Sequence, residues 1–406
     1  MKIVVIGASA AGISAIKSIR EIDQDAQITM ISKEKDIHSR CMLHHCLSGH
    51  RNQKSIDFAG SDFCTDKSVS WLKGLAVTGV DPQKKFVKIE DGQEIKFDKL
   101  LIASGAAYFI PPVPGLREAK NVFGFRDLAD VKRINDHLRS DSRVVIIGSG
   151  LVGMDVASAL NERGIKNTVV EMMPDILPLQ LDGPSASVYQ ILFEENGTDF
   201  LLSEKVTELK LDENRIGTSL MLESGKNLEA DLVIVAAGVR PETAFLEGSG
   251  IECDRGIVVD EKMQTSQADI YAAGDVTGLS GIWPNAMKQG RVAAQNIMGR
   301  KAVYDDRFAI KNTINFYGCP TLSLGQICPD QDTKVYIRED RNSYQKILLK
   351  DQMIEGLILQ GNLDYAGFWQ VLIKNKITID ERTIFDLEYS DFYAINEKNG
   401  AFQLAF

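Results

Sequence analysis

Two stretches of this sequence, residues 2–12 (KIVVIGASAAG) and 143–153 (RVVIIGSGLVG), share a pattern that few folds can accommodate. Each is a run of β-forming apolar residues that ends in a glycine-rich turn and opens a helix. A strand apolar at every position is covered on both faces, which is the environment of a parallel sheet. In the second stretch Gly148, Gly150 and Gly153 fill all three small positions of the G-x-G-x-x-G pattern; in the first, Gly7 and Gly12 hold the outer positions and Ser9 the middle one. Small residues there let the backbone approach a pyrophosphate, which then sits on free N–H groups at the positive end of the helix dipole. Two such turns imply two dinucleotide-binding units. Hydride transfer from one nucleotide to the other is the simplest reason to hold both.

The rest of the chain extends both units. Residues 26–32 (AQITMIS) read as the second parallel strand of the first unit, and Glu34, just beyond it with Asp36 behind, is the candidate acid for ribose hydroxyls. In the second unit residues 167–171 (NTVVE) end in Glu171, about twenty residues after Gly150, where a carboxylate accepts from a ribose 2′-OH and repels a 2′-phosphate. NADH is therefore expected rather than NADPH. Residues 98–105 (DKLLIASG) and 231–238 (DLVIVAAG) repeat one plan of acid, apolar strand and small residues, ending in Gly105 and Gly238. Between the units, residues 68–97 alternate in short segments with turn signals and predict a small antiparallel β excursion, and Pro111, Pro112 and Pro114 stiffen a link. Residues 271–275 (YAAGD) present Asp275 at a strand end, suited to a polyol hydroxyl or to capping the helix expected over 285–298.

Residues 38–50 (HSRCMLHHCLSGH) hold four of the five histidines and two of the six cysteines. Three readings of this density stand side by side. In a redox reading Cys41, alone or with Cys46, exchanges electrons with a neighbouring flavin, its thiolate favoured by Arg40 or a helix N-terminus. In a metal reading helical spacing brings Cys41 beside His44 and His45, and Cys46 beside His50. In the third, Cys41, Leu43 and Leu47 merely pack a short helix.

Composition bounds the partners. A net charge of −10 with no basic block argues against nucleic acid or an anionic membrane. The chain opens on a strand rather than a leader-like segment and has no run of 18 apolar residues, so a cytoplasmic protein is expected. Six cysteines in 406 residues do not make a disulfide scaffold. Beyond residue 308 five short strands and a helix over 365–374 predict a separate small α+β domain.

The order GASAAG, IASG, GSGLVG, VVE, VAAG, YAAGD closely resembles the pyridine nucleotide–disulfide oxidoreductase superfamily of FAD- and NAD(P)H-dependent flavoenzymes. Arg40-Cys41-Met42-Leu43, Leu47, Gly49 and Ile282-Trp283-Pro284-Asn285-Ala286 are most similar to its rubredoxin reductase and nitrite reductase flavin-domain group. The resemblance implies two Rossmann-like three-layer ββα domains and a C-terminal α+β interface domain: residues 1–110 with 245–311 for FAD, 111–244 for NADH, and 312–406. It implies FAD held by Gly7, Ser9, Gly12, Glu34, Gly105 and Asp275, with Ala10, Ala11, Lys35, Arg40, Cys41, Ala103, Ser104, Gly274, Trp283 and Ala286 as further contacts. NADH is expected on Gly148, Gly150, Leu151, Val152, Gly153, Glu171 and Gly238. Where the family often has a glutamate two residues past the second fingerprint, this chain has Asp155. The implied activity is NADH oxidation through flavin, with electrons passing to a small rubredoxin-like carrier protein or partner subunit. The alternatives are reduction of a small disulfide or peroxide by Cys41, with Cys46 or a substrate thiol resolving, and service as the flavin subunit of a larger electron-transfer complex. A homodimer is left open, and no metal is implied.

Overall fold

The computed structural model describes residues 1–306 and 311–404. They form two compact units, one of residues 1–177 and 193–307, the other of residues 178–192 and 308–406. No helix among the described residues is long and apolar enough to cross a membrane.

The first unit contains two five-stranded parallel sheets. One has the order Ile270–Ala272, Lys99–Ile102, Lys2–Ile6, Gln27–Ser32, Val69–Lys73, and the other Thr198–Leu201, Asn167–Val170, Val144–Ile147, Leu232–Val235, Val122–Gly124. In both, the strand that feeds the glycine-rich turn is central, so its end lies where neighbouring crossovers diverge and leave a crevice. The alternation of side chains along a strand explains why the first sheet needs cover on both faces. Ile3 and Val5 pack with Ile13, Ile16 and Ala293 on the helical side, while Val4 and Ile6 pack with Val80, Val87 and Ile89 of an antiparallel meander. A second meander, Val206–Leu211, Gly217–Leu222 and Asn227–Glu229, covers the other sheet. Each half is thus a three-layer ββα sandwich.

The repeated acid has a structural reason. Asp98 Oδ2 accepts from the backbone N–H of Lys2 at 2.6 Å, and Asp231 Oδ2 accepts from that of Arg143 at 2.8 Å, so each anchors the start of the central strand. At the other end Gly7 N–H donates to Ile31 O and Gly148 N–H to Val170 O, at 2.8 and 2.9 Å. One expectation needs correction here. The excursion over 68–97 is not wholly antiparallel, because Val69–Lys73 joins the parallel sheet beside Gln27–Ser32, and only Val77–Asp81, Phe86–Ile89 and Glu94–Lys96 form the meander. The chain leaves the sheet at Gly74, whose φ of +74° suits a glycine.

The second unit is an antiparallel sheet in the order Lys311–Phe316, Cys319–Gly325, Met353–Gln360, Ser343–Lys350, Lys334–Asp340. The helix Ala366–Asn375 buries Phe368, Trp369 and Leu372 against Leu322, Leu357 and Leu359, matching the small α+β domain that the sequence predicts. That domain's expected limits, 312 and 406, fall beside or within residues outside those described. The expected NADH domain over 111–244 takes in residues 178–192, but these pack with the C-terminal unit. The reason is polar: Tyr189 Oη donates to Cys319 O and accepts from Thr321 Oγ1, Gln360 Nε2 donates to Ser185 O, and Asp182 Oδ2 accepts from Tyr344 Oη at 2.7 Å and pairs with Lys346 Nζ at 2.9 Å.

Asp182 ties this unit together. Burial opposes its ionisation, but hydrogen bonds from Ser185, Lys346 and Tyr344 outweigh that and hold its carboxyl below the usual range. Its stabilising effect is therefore present above the unfolded carboxyl value, about 3.9, and lost as pH falls through the depressed folded one. Asp182→Asn leaves the buried Lys346 ammonium without its partner, a loss of about 3 kcal/mol at pH 7. Hydrogen exchange of the Ser343–Lys350 amides reads this directly; equal protection in variant and parent at pH 7 would refute it.

Candidate active site

The first glycine-rich turn opens onto a cleft that is partly open to solvent. Gly7, Ser9, Ala10 and Ala11 form its floor, Ala103, Ser104 and Gly105 one side, and Gly274, Asp275, Trp283 and Ala286 another. Glu34, Arg40 and Cys41 also line it. Fourteen expected residues are thereby brought together. Gly12 does not line the cleft; it lies beneath, where an added Cβ would stand 2.0 Å from Gly7 O. Lys35 does not line it either, its side chain running against Gly74.

A chain of ionic contacts spans the cleft. Arg40 Nη2 donates to Glu34 Oε1 at 2.5 Å and Arg40 Nη1 to Arg126 O at 2.6 Å, while Arg126 Nη2 donates to Asp275 Oδ2 at 2.6 Å. Asp275 thus faces a guanidinium at the start of a short 3₁₀ turn, Asp275–Thr277, rather than capping the Trp283–Ile297 helix. Arg126 was not among the expected residues. It follows a strand with no fingerprint of its own, and only the fold brings it 149 positions from its partner. Phe245 and Glu242 likewise line the cleft without any local signal.

Cys41 opens into the cleft, but its electrostatics oppose the redox expectation. Burial pushes its thiol up, Asp155 and Asp275 add to this, and Arg126 only partly offsets it. Arg40, expected to favour the thiolate, is engaged by Glu34 and Arg126 O. Cys46 does not line the cleft; burial raises its thiol too, and all six cysteines are free. The histidines disperse. His38 is buried with Nδ1 3.3 Å from Asp36 O, His44 faces Asp155, His45 stacks on His44 with centroids 4.0 Å apart, and His50 Nδ1 lies 3.2 Å from Glu162 Oε2. Among the described residues no three His, Cys, Asp or Glu side chains converge as metal ligands.

At the second turn the glycines play different parts. A Cβ on Gly148 would meet Ala236 O at 2.6 Å and one on Gly153 would meet Gly148 O at 2.0 Å, whereas one on Gly150 meets nothing within 4 Å. The outer glycines permit packing and the middle one leaves an approach open. Glu171 is tied to this turn: its Oε2 accepts from Ser149 N and Ser149 Oγ at 2.8 and 2.9 Å, and Oε1 from Met173 N at 2.9 Å. Of a carboxylate's roughly four acceptor directions, one remains. Leu151 and Val152 begin the helix, and Gly238 follows the neighbouring strand with φ of +98°.

The comparisons with known proteins agree with this geometry. Residues 1–290 match the family model for pyridine nucleotide-disulphide oxidoreductase. The chain belongs to the pyridine nucleotide-disulphide oxidoreductase family. Membership makes it an oxidoreductase with FAD and NADH as cofactors. Residues 311–377 of this oxidoreductase match the model for the rubredoxin NAD+ reductase C-terminal domain. The chain is 31% identical to the NADH-dependent phenylglyoxylate dehydrogenase subunit epsilon of Aromatoleum evansii, over 84% of this chain and 83% of that one. It is 28% identical to the NADH-rubredoxin oxidoreductase of Clostridium acetobutylicum over 95% and 96% of the two chains. The crystal structure of NADH:rubredoxin oxidoreductase from that organism superposes with a TM-score of 0.79 at 27% identity, covering 95% of this oxidoreductase and 98% of that chain.

The residues present fit FAD. The floor of the cleft carries only glycine and small side chains: at Gly7 a Cβ would stand 2.1 Å from Ala103 O, and beneath it Gly290 lets the Trp283–Ile297 helix pack where a Cβ would stand 2.2 Å from Ala11 O. Backbone N–H groups at the start of the Ala10–Ile22 helix suit a pyrophosphate, and the carboxylates of Glu34 and Asp275 suit hydroxyls.

Proposed function

We propose that this chain oxidises NADH and passes the electrons singly to a small carrier protein of the rubredoxin type. Gly7, Ser9, Ala10, Ala11, Glu34, Gly105 and Asp275 would hold FAD, with residues 1–110 and 245–311 as its domain. Gly148, Gly150, Gly153 and Glu171 would hold NADH on a domain within 111–244. Bound FAD would supply the chemistry, taking a hydride and releasing electrons one at a time. The chain's own part is to place the reactants and exclude water. Arg126 and Arg40 fix the two carboxylates so that they meet hydroxyls without reorganising, and Trp283, edge-on to Phe58 at 4.8 Å, walls the cleft.

The single observation that carries this reading is that Cys41 alone of the cysteines lines the cleft, with burial, Asp155 and Asp275 raising its thiol rather than favouring the thiolate. Disulfide exchange needs a thiolate and a resolving partner. The test is anaerobic NADH titration of parent and Cys41→Ser, followed by flavin absorbance and thiol count, then turnover with a rubredoxin. The variant is expected to keep turnover within about threefold, since no thiol step is required. A loss beyond about a hundredfold, or two new thiols on reduction, would move the function to a small disulfide or peroxide. The similarity to a dehydrogenase subunit supports a second reading, service in a larger complex, which copurifying chains would reveal.

A further inference from the structure

We propose that His44 and Asp155 form a proton-accepting pair beside the cleft, through which the proton released by NADH oxidation leaves. This rests on the function proposed above. NADH yields NAD+, one proton and two electrons; two equivalents of a one-electron carrier remove the electrons only. A protein group must therefore take the proton on its way to water.

The position of the pair suits this. Asp155 stands on the Leu151–Glu162 helix, half a turn past Gly153 of the second fingerprint. Its charge acts on Cys41, which lines the first cleft, so a residue of the second fingerprint helix is within electrostatic reach of the first cleft. His44 comes from the facing Leu43–Leu47 helix, with Nδ1 3.6 Å from Asp155 Oδ2, beyond hydrogen-bond reach. That nitrogen is buried and has no hydrogen-bond partner among the described residues. An unpaired buried acceptor facing a carboxylate is costly unless a proton can join them. The facing helices are held in register, since Arg163 Nη1 donates to Leu47 O at 3.0 Å and His50 faces Glu162. The Asp155 side chain is only partly buried: the covered part raises its carboxyl, and the 29% of its surface left open gives the proton a way out.

The charged surroundings agree. Burial pushes the Asp155 carboxyl up to about 7, and burial, then His45 and Arg51, push His44 down to about 4. Near pH 7 His44 is neutral and Asp155 divides between acid and carboxylate, the condition for accepting and releasing a proton at low cost. Asp155 also acts on Cys41, on the cleft side, together with Arg126 and Asp275, and the His50–Glu162 contact joins the same two segments further along.

Two measurements on the FAD-loaded protein test it. Infrared titration of the parent should show a protonated-carboxyl band with a midpoint near neutrality, absent in Asp155→Asn and moved by about half a unit or more in His44→Leu. With NADH and ferricyanide as one-electron acceptor, kcat should rise about tenfold from pH 6 to pH 8 as Asp155 becomes carboxylate, flatten in Asp155→Asn and keep its inflection in Asp155→Glu. A missing or unmoved band, or an inflection that persists in Asp155→Asn, overturns the pair. Failure of the parent to reduce ferricyanide at any pH would instead count against the proposed function, while the infrared band still decides the pair.

Discussion

Gly12→Ala is expected to purify without FAD and with lowered stability. Its Cβ would stand 2.0 Å from Gly7 O, 3.2 Å from Gly7 C and 3.3 Å from Val5 Cγ1. None of these can yield cheaply. Gly7 is held by its N–H bond to Ile31 O and by Ala103 O packed over it, and Val5 is fully buried. The Ala10–Ile22 helix must therefore back away from the turn, which removes the N–H groups from where a pyrophosphate would sit. Overpacking a core costs about 1–3 kcal/mol, and a backbone clash lies at or above that range. A loss of about 2.7 kcal/mol in FAD binding is a hundredfold in affinity, enough to strip the cofactor during purification. Flavin content per chain and the thermal midpoint report the two effects separately. Gly150→Ala is the control, because its Cβ meets nothing within 4 Å: FAD content and stability should match the parent. Stoichiometric flavin in Gly12→Ala would show that the turn is not where FAD binds.

The parts legible in the sequence were those written in one segment. Ile3 to Ile6 and Val144 to Ile147 declare buried parallel strands because every residue is apolar, and the outer glycines declare the turns because a Cβ does not fit there. The short apolar runs in Ser343–Lys350 and Met353–Gln360 likewise read as strands of the C-terminal sheet. What stayed hidden depends on contacts between distant segments. Arg126 has no motif and acquires its role only by reaching Asp275. Asp155 is marked in the sequence only as standing where the family often has a glutamate, and its facing partner His44 comes from the distant Leu43–Leu47 segment. Residues 178–192 carry nothing that assigns them to one unit, since the decisive partners, Thr321, Tyr344, Lys346 and Gln360, come well over a hundred positions later. The density of histidine and cysteine over 38–50 left redox, metal and packing readings open in the sequence, and a helix of five residues turns its side chains in different directions.

Glu171→Ala is expected to lower the preference for NADH over NADPH by about a hundredfold, chiefly through poorer NADH binding and partly through tolerance of the 2′-phosphate. The carboxylate is held in place before any nucleotide arrives. Ser149 N and Oγ grip Oε2, Met173 N grips Oε1, and the backbone of Glu171 is paired with Leu201 O and Glu204 N. A ribose diol would therefore meet a fixed negative acceptor, for which a charge-assisted hydrogen bond is worth about 1.5–3 kcal/mol, while a 2′-phosphate would meet the same charge as repulsion. Alanine removes both and also frees Ser149. Glu171→Gln separates the contributions: it retains an acceptor for the diol but not the charge, so NADH binding should weaken by about tenfold while NADPH gains. FAD content should be unchanged in both variants, since Glu171 lies outside the first cleft. The measurement is kcat/KM for each nucleotide with a common electron acceptor. A ratio that stays at the parent's value in both variants would remove Glu171 from the NADH site and leave nucleotide choice to Gly238 or to the exposed side chains of Val152, Met172 and Met173.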